Sequence, residues 1–205
     1  MKTIAFTLVV MGMVFSEAVA QTEKGRWQIG AQLGNVTYQS DTSNASKSIS
    51  GSLAPAVGYF IARNLLIGVT VPFSFNATNL KYGADHFNRT IGIGPAVRYY
   101  VGQSSFKPFV GISYTYARSY GKWRDLDPVR SESITKGYSR TLAPAIGVAY
   151  FINRHVLLSA GLSYNLHHRE GESRNTTPTN VVSNRYSEDL KTWSLGIGFA
   201  VLLGE

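Results

Sequence analysis

The chain has 205 residues, no Cys, 20 Lys and Arg against 12 Asp and Glu, and a net charge of +8. Without cysteine it can build neither a disulfide framework nor a thiolate metal site. Its basic residues are scattered along the chain, so the charge does not form a nucleic-acid patch and calls instead for an anionic lipid or phosphate partner.

The first twenty residues read as an export signal. Lys2 supplies the positive start, Ile4 to Phe15 an apolar stretch too short for a membrane helix, and Ala18-Val19-Ala20 a cleavage site. A leader at 1–20 leaves residues 21–205 as one folded domain. Gln21, where a bacterial lipoprotein has Cys, excludes a lipid anchor at that point.

From there the sequence divides into eight alternating segments. The first offers Trp27, Ile29, Ala31 and Leu33 on one face, and the second Leu53, Pro55, Val57 and Tyr59. The third runs from Leu65 to Phe75, the fourth from Ile91 to Tyr99, and the fifth from Val110 to Tyr116. The sixth covers Leu142 to Tyr150, the seventh Val156 to Tyr164, and the eighth Trp193 to Val201. A unit recurs through them: Leu53-Ala-Pro-Ala-Val-Gly58, Gly92-Ile-Gly-Pro-Ala-Val97, Leu142-Ala-Pro-Ala-Ile-Gly147 and Gly196-Ile-Gly-Phe-Ala-Val201. Period-two alternation sustained eight times predicts antiparallel β structure. Pro55, Pro95 and Pro144 fall at one height on every second strand and read as bulges.

The opposite face is small. It carries Ser52, Ala54, Ala56 and Gly58 in the second strand and Ser194, Gly196, Gly198 and Ala200 in the eighth. Neither face has the charge a watered surface needs, so the pattern predicts an inverted barrel, with large residues outward and small residues in a narrow lumen. Beyond the leader's Glu17, all acidic residues lie outside the spanning cores, as strands crossing hydrocarbon require. Short connections near 62–64, 102–105 and 153–154 alternate with longer polar ones at 39–47, 78–87, 120–137 and 168–188. That asymmetry places short turns and both termini in the periplasm and long loops outside. Aromatic girdles are expected at Trp27, Tyr59, Tyr99 and Tyr150 below, and at Tyr114, Tyr116, Tyr120, Tyr164 and Trp193 above.

On these features the chain resembles the small eight-stranded bacterial outer-membrane β-barrel proteins, the OmpX-like and OmpA-membrane-domain-like group. The resemblance covers the whole mature chain by pattern, without an invariant motif. It implies an all-β, antiparallel, up-and-down transmembrane barrel, inserted by the barrel assembly machinery among outer-membrane lipid and lipopolysaccharide. One departure is the end, Val201-Leu202-Leu203-Gly204-Glu205, where such barrels carry a final aromatic residue.

Three sets of candidate residues follow. Phe60, Leu66, Tyr100, Phe109, Phe151, Leu157 and Leu202 have inward parity near the periplasmic end and are expected to plug the lumen. Arg98 is inward just above them, without a carboxylate partner in the strands. Arg89, Arg118, Arg140 and Arg169, near the outer rim, are candidate contacts for lipopolysaccharide phosphates. Catalysis finds little support. The His-x-Ser pair of barrel lipid A deacylases is missing at all four His, and His167 and His168, being adjacent, must face opposite sides. No cofactor or metal site is expected. The reading is a non-enzymatic envelope protein that binds or adheres through loops 120–137 and 168–188. A narrow-conductance or ligand-binding barrel using the upper lumen is the alternative, and a lipid A-modifying enzyme a distant third.

Overall fold

A computed structural model describes residues 22–34, 36–41, 46–80, 85–125 and 131–204. The expected leader at 1–20 lies outside the described residues. Ten strands form one antiparallel sheet: β1 (Trp27–Leu33), β2 (Thr37–Asp41), β3 (Ser46–Ala62), β4 (Leu65–Thr70), β5 (Phe73–Leu80), β6 (Asp85–Tyr100), β7 (Phe106–Asp125), β8 (Ser131–Phe151), β9 (Val156–Thr176) and β10 (Val181–Leu203). β1 with β2 and β4 with β5 are two spans, each broken once, so the ten strands make eight crossings. The sheet closes because β1 pairs with β10 on one side and β3 on the other. Closure removes the unpaired edges that would otherwise be left in a membrane.

The three repeated prolines are not bulges. A bulge sets two residues of one strand against one of the other. Here β3 keeps a single register from Ala56↔Thr70 to Leu53↔Phe73. β6 and β7 do the same from Ile93↔Tyr116 to Ala96↔Ser113, as do β8 and β9 from Leu142↔Leu166 to Ala145↔Ser163. A missing proline N–H removes a rung without inserting a residue. Pro72 does likewise between β4 and β5, where the Val71 amide still donates to the Pro55 carbonyl at 2.9 Å. Register shifts between Phe60 and Ala62, next to the turn. Asn64 in that turn has φ 66°, a left-handed conformation that Asn tolerates better than most residues.

The side chains are sorted as an inverted barrel. The residues buried with almost no exposure are few and sit at the short-turn end, whereas Ile29, Ile93, Ile146, Leu195 and Ile197 are exposed on the outer face. On β9 the apolar outward series runs from Val156 to Leu166, eleven residues, and His168 is the next outward position. A tilted strand needs about 9–11 residues to cross hydrocarbon. Trp27 and Tyr59 pair their rings at 5.0 Å at one margin of this band, and Tyr164 and Trp193 at 4.8 Å at the other.

The connections expected as long loops at 120–137 and 168–188 are mostly strand. β7 and β8 pair out to Asp125↔Ser131, and β9 and β10 out to Val181↔Thr176. Beyond Leu166, β9 continues for ten residues, roughly 30 Å along the strand. Apolar alternation stops where the hydrocarbon band stops, but the backbone ladder continues. Lys122 bonded to Glu132 at 3.0 Å, and Thr135 to Ser173 at 3.2 Å, hold these polar ribbons together.

Candidate functional site

Inward residues crowd together at the short-turn end of the barrel. Phe60, Leu66, Tyr100, Phe109, Phe151, Leu157 and Leu202 are all buried and belong to one cluster, joined by Ala149 and Ala200. Tyr100 is its hub, with ring centroids 5.9 Å from Phe60, 5.9 Å from Phe109 and 6.1 Å from Phe151. A second layer lies beneath it, formed by the chain just before β1. The Lys107 ammonium donates to the Thr22 hydroxyl at 2.7 Å, and that hydroxyl donates to the Asn64 side-chain oxygen. Lys107 also lies 5.3 Å from the centre of the Phe151 ring. The Gly25 amide donates to the Phe60 carbonyl, and Arg26 Nε to the Gly204 carbonyl at 3.1 Å. Thr22, Arg26 and Lys107 are therefore buried polar residues beneath the apolar cluster. Sequence reasoning missed this layer. The available signal was Lys107 itself, a cation at inward parity two residues before Phe109.

Above the plug, small inward side chains leave a cavity of about 800 Å³ that continues to the long-hairpin end. Arg98 stands on its floor. The guanidinium carbon lies 4.2 Å from the centre of the Phe109 ring, and Nη1 donates to the Tyr100 hydroxyl at 3.4 Å. That hydroxyl donates to Gln28 Oε1 at 3.1 Å. His167 also faces inward, bonded to the Thr141 hydroxyl at 2.8 Å and the Thr192 hydroxyl at 3.0 Å.

The four rim arginines divide. Arg89, Arg118 and Arg140 are exposed on outward parity, each at the first outward position past the apolar band. Arg89 lies 5.5 Å from the centre of the Tyr120 ring, and Arg140 lies 5.7 Å from that of Tyr138. Arg169 departs from the expected set: it has inward parity and lines the cavity. Counting by twos from outward Tyr164 gives this result, so the sequence contained the signal.

Beside Arg140 on the outer face is a polar chain that the sequence only hinted at. Tyr138 donates its hydroxyl to Glu170, and the two nitrogens of His168 lie 2.7 Å from Glu170 Oε1 and 2.7 Å from Asp189 Oδ1. Both partners are carboxylate acceptors, so both ring nitrogens donate and the imidazolium form is favoured. These groups lie beyond the apolar band. Bonds to Asp189 and Glu170 raise the His168 pKa above its ordinary 6.5. Bonds from Tyr138 and His168 lower that of Glu170 below 4.5. The raised His contributes stability that is complete below its unfolded value and lost as pH climbs through the folded one. The lowered Glu contributes above its unfolded value and loses that contribution as pH falls through the folded one. Protection of the outer part of β8 and β9 against amide exchange, taken relative to the intrinsic rate at each pH, should therefore be greatest in mildly acidic solution and fall toward either extreme. His168→Gln should remove the alkaline limb alone. An unchanged pH profile in that variant would show that the imidazolium does not hold the ribbon.

A closed eight-crossing barrel with large apolar residues outside and a small-residue lumen is a membrane β-barrel. Residues 6–200 match the family model described as outer membrane protein beta-barrel domain. The chain belongs to that family, whose place is the bacterial outer membrane. Among solved structures it is similar to the outer membrane protein OprG from Pseudomonas aeruginosa, with a TM-score of 0.58 at 16% identity, covering 91% of this chain and 100% of that one. It is also similar to a major outer membrane protein from Thermus thermophilus, with a TM-score of 0.56 at 12% identity, covering 87% and 99%. At these identities the likeness is one of fold. No curated protein matches the chain.

Proposed function

We propose that this barrel is sealed against conduction and acts as a non-enzymatic surface protein through its protruding ribbons, with the short-turn end and both termini in the periplasm. The double floor carries this reading: an aromatic plug centred on Tyr100 over a polar layer fixed by Lys107 and Thr22. The outer parts of β7 and β8 and the β9–β10 tip, far above the apolar band, are then the surfaces for an extracellular partner. Arg89, Arg118 and Arg140 are suited to hold lipopolysaccharide phosphates at the outer margin, since guanidinium groups bind phosphate oxygens in pairs. Assembly machinery would insert the chain, as for other barrels of this kind. Planar-bilayer recording tests the seal. The native barrel should show no stable openings, and the Phe60→Ala, Phe151→Ala double variant should show measurable ones. Regular openings of the native barrel would refute the seal, and a variant as silent as the parent would show that the aromatic layer is not what makes it.

The cavity above the floor supports a second reading, in which the lumen holds a small ligand that enters from outside. Its volume of about 800 Å³ lies within the roughly 300–1,000 Å³ range of small-molecule sites.

A further inference from the structure

We propose that the lumen is a cup for a small organic anion, a carboxylate on a short apolar body, anchored by Arg98. The proposal rests on the second reading above and adds to it the anchor and the chemical class of the ligand.

The charge around the cup is the first argument. The ion pairs of Lys122 and Arg124 with Glu132, and of His168 with Glu170 and Asp189, lie in the outer ribbons and do not reach Arg98. Glu188 is the one carboxylate on the cavity wall, and its register partner in β9 is Arg169 at the outer end. Arg98 lies at the opposite end, on the floor. Arg98 is half-buried at the end of the cavity away from Glu188, and an oxyanion in the cup would supply the counter-charge that the wall there lacks.

The donor geometry is the second. Contact with Phe109 occupies a face of the guanidinium, and Tyr100 receives a bond from Nη1. A guanidinium has five N–H donors in a planar fork, so its remaining edge can take both oxygens of a carboxylate. Tyr100 and Gln28 fix the fork from one side. The walls, where alanines alternate with serine and threonine hydroxyls, favour an organic anion with a short apolar body over a bare inorganic ion. Ala54, Ala56, Ala96, Ala143 and Ala145 border the cavity, and a hydrated phosphate would leave that surface uncovered. A short alkyl or aryl body covers it.

The test uses the full barrel refolded in lipid nanodiscs, labelled with ¹⁵N, and titrated with hexanoate, hexanol, hexylammonium and inorganic phosphate. The readouts are the side-chain N–H of Arg98 and the methyl of Ala96, labelled with ¹³C, which face the lumen rather than lipid. Hexanoate should shift both signals saturably, with hexanol and phosphate at least about tenfold weaker and hexylammonium without effect. Each tenfold corresponds to about 1.4 kcal/mol, within reach of one charge-assisted pair. Arg98→Gln, checked for folding by heat-dependent gel mobility, should lose the hexanoate preference, while Arg169→Gln should keep it. Equal binding of hexanol and hexanoate would leave a cup but remove the anchor. Equal binding of phosphate would remove the organic body, and no lumen response to any probe would remove the cup itself. Because the head-group series is run on the native chain, it decides the matter even if Arg98→Gln fails to fold. The seal is judged separately by conductance.

Discussion

Ile197→Arg should destabilise the refolded barrel by about 2–4 kcal/mol, the cost of a cation at the bilayer midplane on the lipid side of a strand. Ile197 lies midway along the outward series of β10, between Trp193 and Val201, and is 61% exposed on the outer face. Its neighbours in register, Ala160 and Leu33, have no group that would receive a guanidinium. Snorkelling along the strand must pass Leu195 or Phe199 before reaching either margin. Ser163→Arg provides the comparison. Ser163 follows the outward Leu162 by one residue, pairs with Ser194 in register, and so faces the cavity, where an arginine meets water and hydroxyl groups. Its cost should be no more than about 1 kcal/mol. Denaturant titration in bilayers measures both. Equal costs for the two variants would mean that the faces are not sorted between lipid and lumen as the side chains indicate.

That sorting was legible in the sequence because membrane barrels separate large from small residues at a strict period of two. One parity rule assigned Phe60 and Leu202 to the lumen and Ile29 and Ile197 to the outside. The rule weakened where chemistry no longer differed across the sheet. Past Tyr120 and His168 both faces are polar, so strand and loop have similar compositions, and the ribbons were mistaken for loops. Arg169 shares the height of the other rim arginines but differs from them in parity, and only parity separates lumen from outer face. The prolines mislead locally, since a lost donor does not reveal whether register shifts. The lower floor was illegible for another reason. Thr22, Asn64 and Lys107 lie far apart in the chain, and only closure of the barrel brings them together.

Tyr100→Ala should be the most costly change inside the barrel, at about 3–5 kcal/mol, the range for removing a buried aromatic ring from a core. Tyr100 has no exposed surface and its ring touches three others of the plug. The walls around it belong to a hydrogen-bonded cylinder, which cannot collapse inward to fill the space, so the cavity term should be retained in full. Tyr100→Phe separates packing from polarity. It preserves the ring but removes the acceptor for Arg98 and the donor to Gln28. Loss of those bonds should cost about 1–3 kcal/mol, because both partners stay beside a closed floor. Thermal denaturation with gel-mobility readout would rank the two variants, and a Phe variant as unstable as Ala would show that the hydroxyl network holds the plug more than the rings do. The same pair bears on the lumen above. If Tyr100 fixes the Arg98 fork, Tyr100→Phe should keep the barrel sealed yet weaken hexanoate binding, so that seal and anchor separate at one oxygen atom.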